Sequence, residues 1–95
     1  MIAVRNPVFQ LGVVVATPGA LEVLAKTGTQ PWTLLSRHVS GDFGSELDAE
    51  DVQANHYAIR EGERVLSLYT VGGVRLYVIT EADRSSSTIL RADEY

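Results

Sequence analysis

The second half of the chain alternates apolar and polar residues with the period of a β-strand. In RVLSLYTV (64–71), odd-numbered and even-numbered side chains fall on opposite faces of such a strand. Gly72-Gly73 then predicts a two-residue hairpin turn, and VRLYVIT (74–80) predicts the returning strand. STILRA follows a polar turn and predicts a third strand at about 87–91. We therefore expect an antiparallel meander of three strands.

The first half of the chain predicts one strand and two short helices. VFQLGVVVAT (8–17) has the valine content and length of a buried strand, which is a candidate fourth member of the sheet. Thr17 and Pro18 then form a typical helix start, with a capping hydroxyl followed by proline at the first helical position. We expect helices over 18–27 and 31–39, the first of them ending before a glycine.

A third helix is predicted over 48–60. Asp48 is its expected N-cap, and Asp51 occupies the third helical position as in a capping box. Leu47 and Val52 have the spacing of a hydrophobic staple. Since helices precede strands, we expect an α+β fold, a single domain over 1–95 with small helices packed on one face of a three- to four-stranded antiparallel sheet. Six side chains should be largely buried in its core, namely Trp32, Leu35, Leu66, Leu68, Leu76 and Val78.

Composition narrows the chemistry of this chain. Its 95 residues are 45% apolar and 21% charged, as in ordinary globular domains rather than disordered chains. There is no cysteine, which excludes disulfides, thiolate metal sites and a cysteine nucleophile. Two histidines cannot form a structural zinc site alone. We therefore expect no metal and no cofactor.

One apolar run resembles a secretion signal. LGVVVATPGALEVLA (11–25) has a small-residue motif, but Pro18 and Gly19 interrupt it and only Arg5 precedes it as a basic residue. It is also shorter than the ~20 apolar residues of a membrane-spanning helix. The expectation is a cytoplasmic protein without a membrane segment.

The net charge of −4 includes an acidic run with no base inside it, formed by Asp42, Glu46, Asp48, Glu50 and Asp51. An acidic chain is a poor binder of nucleic acid, which requires clustered Lys and Arg. The run is either the solvated start of a helix or a surface that binds a partner protein.

A second polar stretch interrupts the predicted sheet between the second and third strands of the meander. It contains Glu81, Asp83, Arg84, Ser87 and Thr88. These groups either satisfy one another in a turn, with Arg84 held by Glu81 or Asp83, or present a guanidinium and hydroxyls to a phosphate or carboxylate. Both interpretations stay open at this level.

His38 and Asn55 are the remaining candidates. His38 lies near the C-terminus of the second predicted helix, where the helix dipole raises a histidine pKa and favours acid–base chemistry. Alternatively, it bonds the last carbonyls of its own helix. Asn55 is mildly unfavourable inside a helix, and surface exposure is the simplest explanation for it.

Several segments together resemble a family of small proteins carried by bacterial plasmids, phages and integrated elements. The segments are LGVVVATPGALEVL, RHVSGDFG, DAEDVQAN, RVLSLYT and YVITEADRSSSTILRADEY. Members are usually labelled hypothetical or plasmid-related, and sometimes as subunit M of a type I restriction system. This chain has no methyltransferase motif. The resemblance implies a role in a mobile genetic element.

The order of elements is also similar to that of barnase–EndoU–RelE-like ribonucleases, which cleave RNA without a metal. That resemblance implies His38 as acid or base, Arg84 on the phosphate, and Ser87 or Thr88 as positioning groups. The acidic charge departs from this class.

Three functions follow as hypotheses. The first is a non-enzymatic protein of a mobile element that binds a host or competing-element protein, as a counter-defence or regulatory factor. Its binding residues would be the acidic run together with Glu81, Asp83 and Arg84. The alternative is a metal-independent ribonuclease or toxin, for which RNA is the partner. The third is a structural domain that forms a homodimer through an exposed sheet edge.

Overall fold

A computed structural model describes residues 7–95. Three α-helices and a four-stranded sheet make an α+β fold, as predicted. The elements in chain order are β1 Val13–Ala16, α1 Pro18–Thr27, α2 Pro31–Val39, α3 Ala49–Glu61, β2 Val65–Val71, β3 Val74–Thr80, β4 Ser86–Arg91 and a short 3-10 turn at Ala92–Glu94. No helix in this part of the chain combines the length and the apolar character needed to cross a membrane.

The sheet has the strand order β1-β4-β3-β2. Strands β2, β3 and β4 form the predicted antiparallel meander, in which Tyr69 pairs with Leu76 and Val78 pairs with Ile89. Strand β1 joins the outer edge of β4 in the parallel direction, with Val14 opposite Ser87. The sheet is therefore mixed rather than wholly antiparallel, and among the strands of residues 7–95 its two edges are β1 and β2.

The helix boundaries follow the capping chemistry of the sequence. The Thr17 hydroxyl accepts a hydrogen bond from the backbone N–H of Ala20 at 3.1 Å, and the Asp48 carboxylate accepts one from the N–H of Asp51 at 2.9 Å. Helices α1 and α3 end at glycines with left-handed backbone conformations. Both predicted N-caps are confirmed, because each side chain satisfies a backbone donor that the first helical turn leaves free.

The core lies between the helices and one face of the sheet. Tyr69, Leu76, Val78 and Ile89 of this face pack with apolar residues of α1 and α2. A second cluster joins α3 to the end of α2 and to the N-terminal segment, and comprises Phe9, Val39, Phe43, Ala58 and Val65.

The predicted burial of Leu66 and Leu68 is only partly correct. Both lie on the sheet face turned away from the helix-packed core, where Leu68 is buried and Leu66 is half-buried. The alternation of side chains along β2 correctly predicted that Leu66 and Leu68 share one face. It did not indicate which face of the strand packs against the helices, because both faces are largely apolar. Trp32 is likewise half-buried, whereas Leu35, Leu76 and Val78 are buried as predicted.

The predicted first strand begins later than expected, at Val13 rather than at residue 8. Gly12 has a φ of 65°, and a Cβ built on it would lie 2.4 Å from the backbone oxygens of Arg84 and Ser85. A glycine is therefore needed where the chain turns into β1. The turn leaves Phe9 free to pack over the end of α2.

Candidate functional site

His38 is completely buried beneath the N-terminal segment. It lies in the last turn of α2 with 0% of its surface exposed. The ring of Phe9 packs edge-on against the imidazole, with 4.9 Å between ring centroids. The interpretation of His38 as a surface residue that bonds the carbonyls of its own helix is therefore wrong, since the ring is buried and bonds side chains of the sheet.

A chain of buried hydroxyl groups surrounds this histidine. Nδ1 lies 2.5 Å from the Ser67 hydroxyl on β2, and Nε2 lies 2.8 Å from the Thr80 hydroxyl at the end of β3. The Thr80 hydroxyl lies 2.6 Å from that of Ser87 on β4. Ser87 in turn donates to the backbone carbonyl of Leu11 at 2.8 Å. We call Ser67, His38, Thr80 and Ser87 the histidine network.

The direction of every hydrogen bond in this network follows from counting protons. Ser87 has one hydroxyl proton, which it donates to Leu11, so Thr80 must donate to Ser87. Thr80 then accepts from His38, which places the imidazole proton on Nε2. Nδ1 is left as an acceptor for the Ser67 hydroxyl. The neutral ring therefore has both nitrogens occupied, and every polar atom is satisfied.

Burial, together with a smaller contribution from the positive charge of Arg84, lowers the pKa of His38 from 6.5 to about 4. The helix-dipole argument from the sequence predicted a raised pKa, and that prediction is wrong. Loss of hydration in the core outweighs the helix terminus. His38 is a neutral core residue at physiological pH.

Arg84 binds backbone carbonyls rather than carboxylates. Its guanidinium donates to the carbonyls of Ala58 at 2.9 Å and Glu63 at 2.5 Å, near the C-terminus of α3, and to two carbonyls of its own turn. Arg84 also has a φ of 60°, which is unusual for a residue with a side chain. The expected pairing with Glu81 or Asp83 is wrong. Arg84 instead ties its own turn to the end of α3, where the Ala58 carbonyl also accepts the backbone N–H groups of Gly62 and Glu63.

The other predicted residues of this turn do not converge on one site. Glu81 pairs with Arg64 at 3.1 Å, and Asp83 accepts a hydrogen bond from the backbone N–H of Ser85. Ser87 and Thr88 are neighbours on β4 and face opposite sides of the sheet. The structure thus brings His38 and Ser87 into one network, and leaves Thr88 on the other sheet face.

Three residues of the acidic run have structural partners. Asp42 forms an ion pair with Arg37 at 2.7 Å, and Glu46 accepts a hydrogen bond from Thr70 at 2.6 Å. Asp48 caps α3. Glu50 and Asp51 are exposed in the first helical turn, where their charge suits the positive end of the helix dipole.

Some of these acids also form one wall of a groove of about 380 Å³ beside β2. Its apolar floor is formed by Leu66, Leu68 and Tyr77, which lie on the sheet face turned away from the core. The acidic wall carries Glu46, Asp48 and Asp51, and the single base is Arg64, whose charge is matched by Glu81. We call this feature the acidic groove.

Asn55 closes the edge of β2 next to the groove. It is 4% exposed, and its amide donates to the carbonyl of Leu66 at 2.6 Å while accepting from the Leu66 N–H at 3.0 Å. The carbonyl of Phe43 accepts from the N–H of Leu68 on the same strand. Surface exposure was the wrong explanation for this asparagine, which instead substitutes for a neighbouring strand.

Ser67 and Thr80 were missed by the sequence analysis. Both are hydroxyl residues at core-facing positions of strands that are otherwise apolar on that face, and both are 0% exposed. Such a residue needs a buried hydrogen-bond partner, and that need is the signal in the sequence, although it does not identify His38 as the partner.

Among residues 7–95, no group of three or more histidine and acidic side chains is arranged to hold a metal ion. Comparisons with protein-family models, with curated proteins and with solved structures found no match for this chain. Its function must therefore be argued from its own geometry.

Proposed function

We propose that this chain is a non-enzymatic protein that acts by binding another protein through the acidic groove. The observation that carries the proposal is the combination of an apolar floor with an acidic wall. Protein interfaces commonly combine a buried apolar centre with a charged rim that orients the partner. Resemblance to proteins of plasmids and phages supports a role in a mobile element, as a counter-defence or regulatory factor acting on a host or competing-element protein.

The chemistry of the groove specifies the partner segment. Leu66, Leu68 and Tyr77 suit an apolar or aromatic anchor, while Glu46 and Asp51 suit Lys or Arg beside that anchor. Because Arg64 is already paired with Glu81, it leaves the wall with excess negative charge. A basic segment with one large apolar residue is thus the expected ligand.

The ribonuclease alternative lacks comparable support. Acid–base catalysis requires a group within hydrogen-bond reach of the substrate, directly or through one water. His38 is 0% exposed with both ring nitrogens occupied. Arg84 donates its hydrogen bonds to backbone carbonyls. No described geometry presents these groups together to an RNA phosphate.

Matched charge reversals in the first turn of α3 test the proposal. Asp51→Arg places a base in the acidic wall. Glu50→Arg is the control, because it changes the net charge and the interaction with the helix dipole as much as Asp51→Arg does, but Glu50 does not line the groove. The full chain would be used to capture partners from a bacterial host, and affinity for the captured protein would then be measured with each purified variant.

We expect Asp51→Arg to weaken binding by about tenfold or more, which corresponds to ~1.4 kcal/mol, and to weaken it most at low salt. Glu50→Arg should bind nearly as the unaltered chain does. Equal affinities for the two variants would refute the groove as the binding site. If the purified chain cleaved RNA and His38→Gln abolished that cleavage, the non-enzymatic proposal would be refuted.

A further inference from the structure

Within residues 7–95, no strand pairs with the outer edge of β1. The backbone N–H groups of Val13 and Thr17 donate to carbonyls of the β4 region, each at 3.0 Å. In a parallel pair, alternate residues bond the neighbour, so the N–H and C=O of Val14 and Ala16 point away from β4. The side chains of Val13, Val14 and Val15 are 66%, 42% and 47% exposed. An apolar strand edge therefore faces solvent.

The two edges of the sheet differ in how they are protected. Asn55 and the Phe43 carbonyl occupy backbone groups of β2, so that edge cannot easily accept another strand. Natural edge strands are otherwise blocked by charges, proline or bulges. The stretch Gly12–Ala16 contains no charged residue and no proline. In the part of the chain that the structure describes, nothing blocks the β1 edge from pairing with another strand.

We propose that β1 pairs with β1 of a second copy of this chain. The stretch Gly12–Ala16 has the order small-Val-Val-Val-small, which is the same in both directions around Val14. A two-fold axis demands a surface that complements itself, and an antiparallel strand pair with this pattern meets that demand. The absence of charge means that identical copies do not repel one another along the strand.

The pattern also fixes the register. With the axis at Val14, the outward peptide groups of Val14 in the two copies exchange both hydrogen bonds. Val13 of each copy then lies opposite Val15 of the other, in the pair type that brings side chains closest. Moving the axis to Val13 or Val15 would set Val14 opposite Gly12 or Ala16, and one valine contact would be lost on each side.

The expected dimer is reversible and independent of the acidic groove. A stable standard interface buries ~800 Å² on each partner, and a five-residue strand pair supplies less than that. Dissociation in the micromolar range is therefore expected. The groove lies beside β2, at the opposite edge of the sheet. The proposed dimer and the proposed binding function of the groove can therefore be tested, and refuted, independently of each other.

Two substitutions at Val14 test this pairing without disturbing β4. Val14→Pro removes an N–H that faces away from β4 and so takes no hydrogen bond from the β1–β4 pair, and Val14→Lys sets like charges opposite each other at the axis. Tyr57→Lys is the control, because Tyr57 is another exposed apolar residue, 53% exposed on α3. Sedimentation velocity on the full chain, from about 1 µM to 1 mM, would report the oligomeric state.

We expect the unaltered chain and Tyr57→Lys to dimerise with rising concentration, and both Val14 variants to stay monomeric with unchanged circular dichroism. Hydrogen exchange gives a second readout at single residues. The Val14 amide should become protected as concentration rises, whereas the Val13 amide, bonded to Ser85, should be protected throughout. A monomer at all concentrations, a dimer that survives both Val14 changes, or a dimer with an unprotected Val14 amide would overturn the proposal.

Discussion

As the pH falls, protonation of His38 should destabilise this protein before the carboxylates of the chain become protonated. In the folded chain the His38 pKa is lowered to about 4, mainly by burial, while the ordinary value is 6.5. Between these two values the unfolded chain binds a proton that the folded chain excludes. Stability therefore rises with pH in this window, or equivalently falls as the pH drops from about 6.5 towards 4. Below about 4 both states are protonated and this loss stops.

The expected loss is large for a domain of this size. A difference between 6.5 and about 4 corresponds to ~3 kcal/mol, because one pKa unit equals ~1.36 kcal/mol. Small domains have total stabilities of only ~5–15 kcal/mol. The melting temperature should fall by more than ~10 °C, since each kcal/mol shifts it by ~4–8 °C in domains of this length.

Exposed carboxylates act mainly at lower pH. Hydrogen bonds from Arg37 and from Ser85 lower the pKa values of Asp42 and Asp83 below 3.8. Their stabilising effect is present above that value and is lost as the pH falls through their folded pKa values. The pKa of Glu22 is likewise lowered, from 4.5, by its hydrogen bond from Lys26, so the interval from about 4.5 to 6.5 reports His38.

Urea unfolding at pH values from 4 to 8 measures this effect. His38→Gln removes the titration and keeps an amide that can donate and accept, while His56→Gln removes the exposed histidine of α3 as a control. The free energy of unfolding should depend less steeply on pH in His38→Gln, whereas in His56→Gln its pH dependence should be the same as in the unaltered chain. Nitrogen NMR of the unaltered chain should show the proton on Nε2 of His38. Parallel slopes in all three proteins, or a folded His38 that titrates near 6.5, would refute the reasoning.

Three further substitutions test structural roles by urea unfolding at neutral pH. Asp48→Ala should cost ~0.5–2 kcal/mol, since the N-cap of α3 is lost; an effect no larger than that of Glu50→Ala would contradict this. Arg84→Lys should cost ~1–3 kcal/mol of stability, because an ammonium group cannot reach all the carbonyls that the guanidinium contacts. Arg75→Lys is its control and should cost nothing measurable, since Arg75 is exposed and makes no hydrogen bond within residues 7–95. Asn55→Ala should cost ~1–3 kcal/mol and expose the β2 edge to aggregation; full stability and solubility would show that water replaces the amide.

Local chemistry made the helices and the hairpin predictable. Thr17 and Asp48 satisfy backbone groups within three residues of themselves, so their roles can be deduced from short segments. Gly72-Gly73 defines the turn between β2 and β3 for the same reason. Helix α1 and strand β3 accordingly have the predicted boundaries.

Long-range partners explain what the sequence did not reveal. His38 meets Ser67 and Thr80 across 29 and 42 residues, and nothing near His38 in the sequence indicates that either hydroxyl is its partner. Arg84 contacts the end of a helix 26 residues earlier. The parallel pairing of β1 with β4 likewise depends on where the intervening helices place the chain.

Photo-crosslinking from within the acidic groove tests the central claim most directly. A photoreactive phenylalanine would replace Tyr77 on the groove floor in one version of the full chain, and Tyr57 on the outer surface of α3 in another. Both would be expressed in a bacterial host, irradiated, and compared by mass spectrometry of the crosslinked products. We expect a protein to be crosslinked at position 77 through a segment rich in Lys or Arg, and none to be crosslinked at position 57. Equal crosslinking at the two positions, or crosslinking at 77 only to RNA, would contradict it.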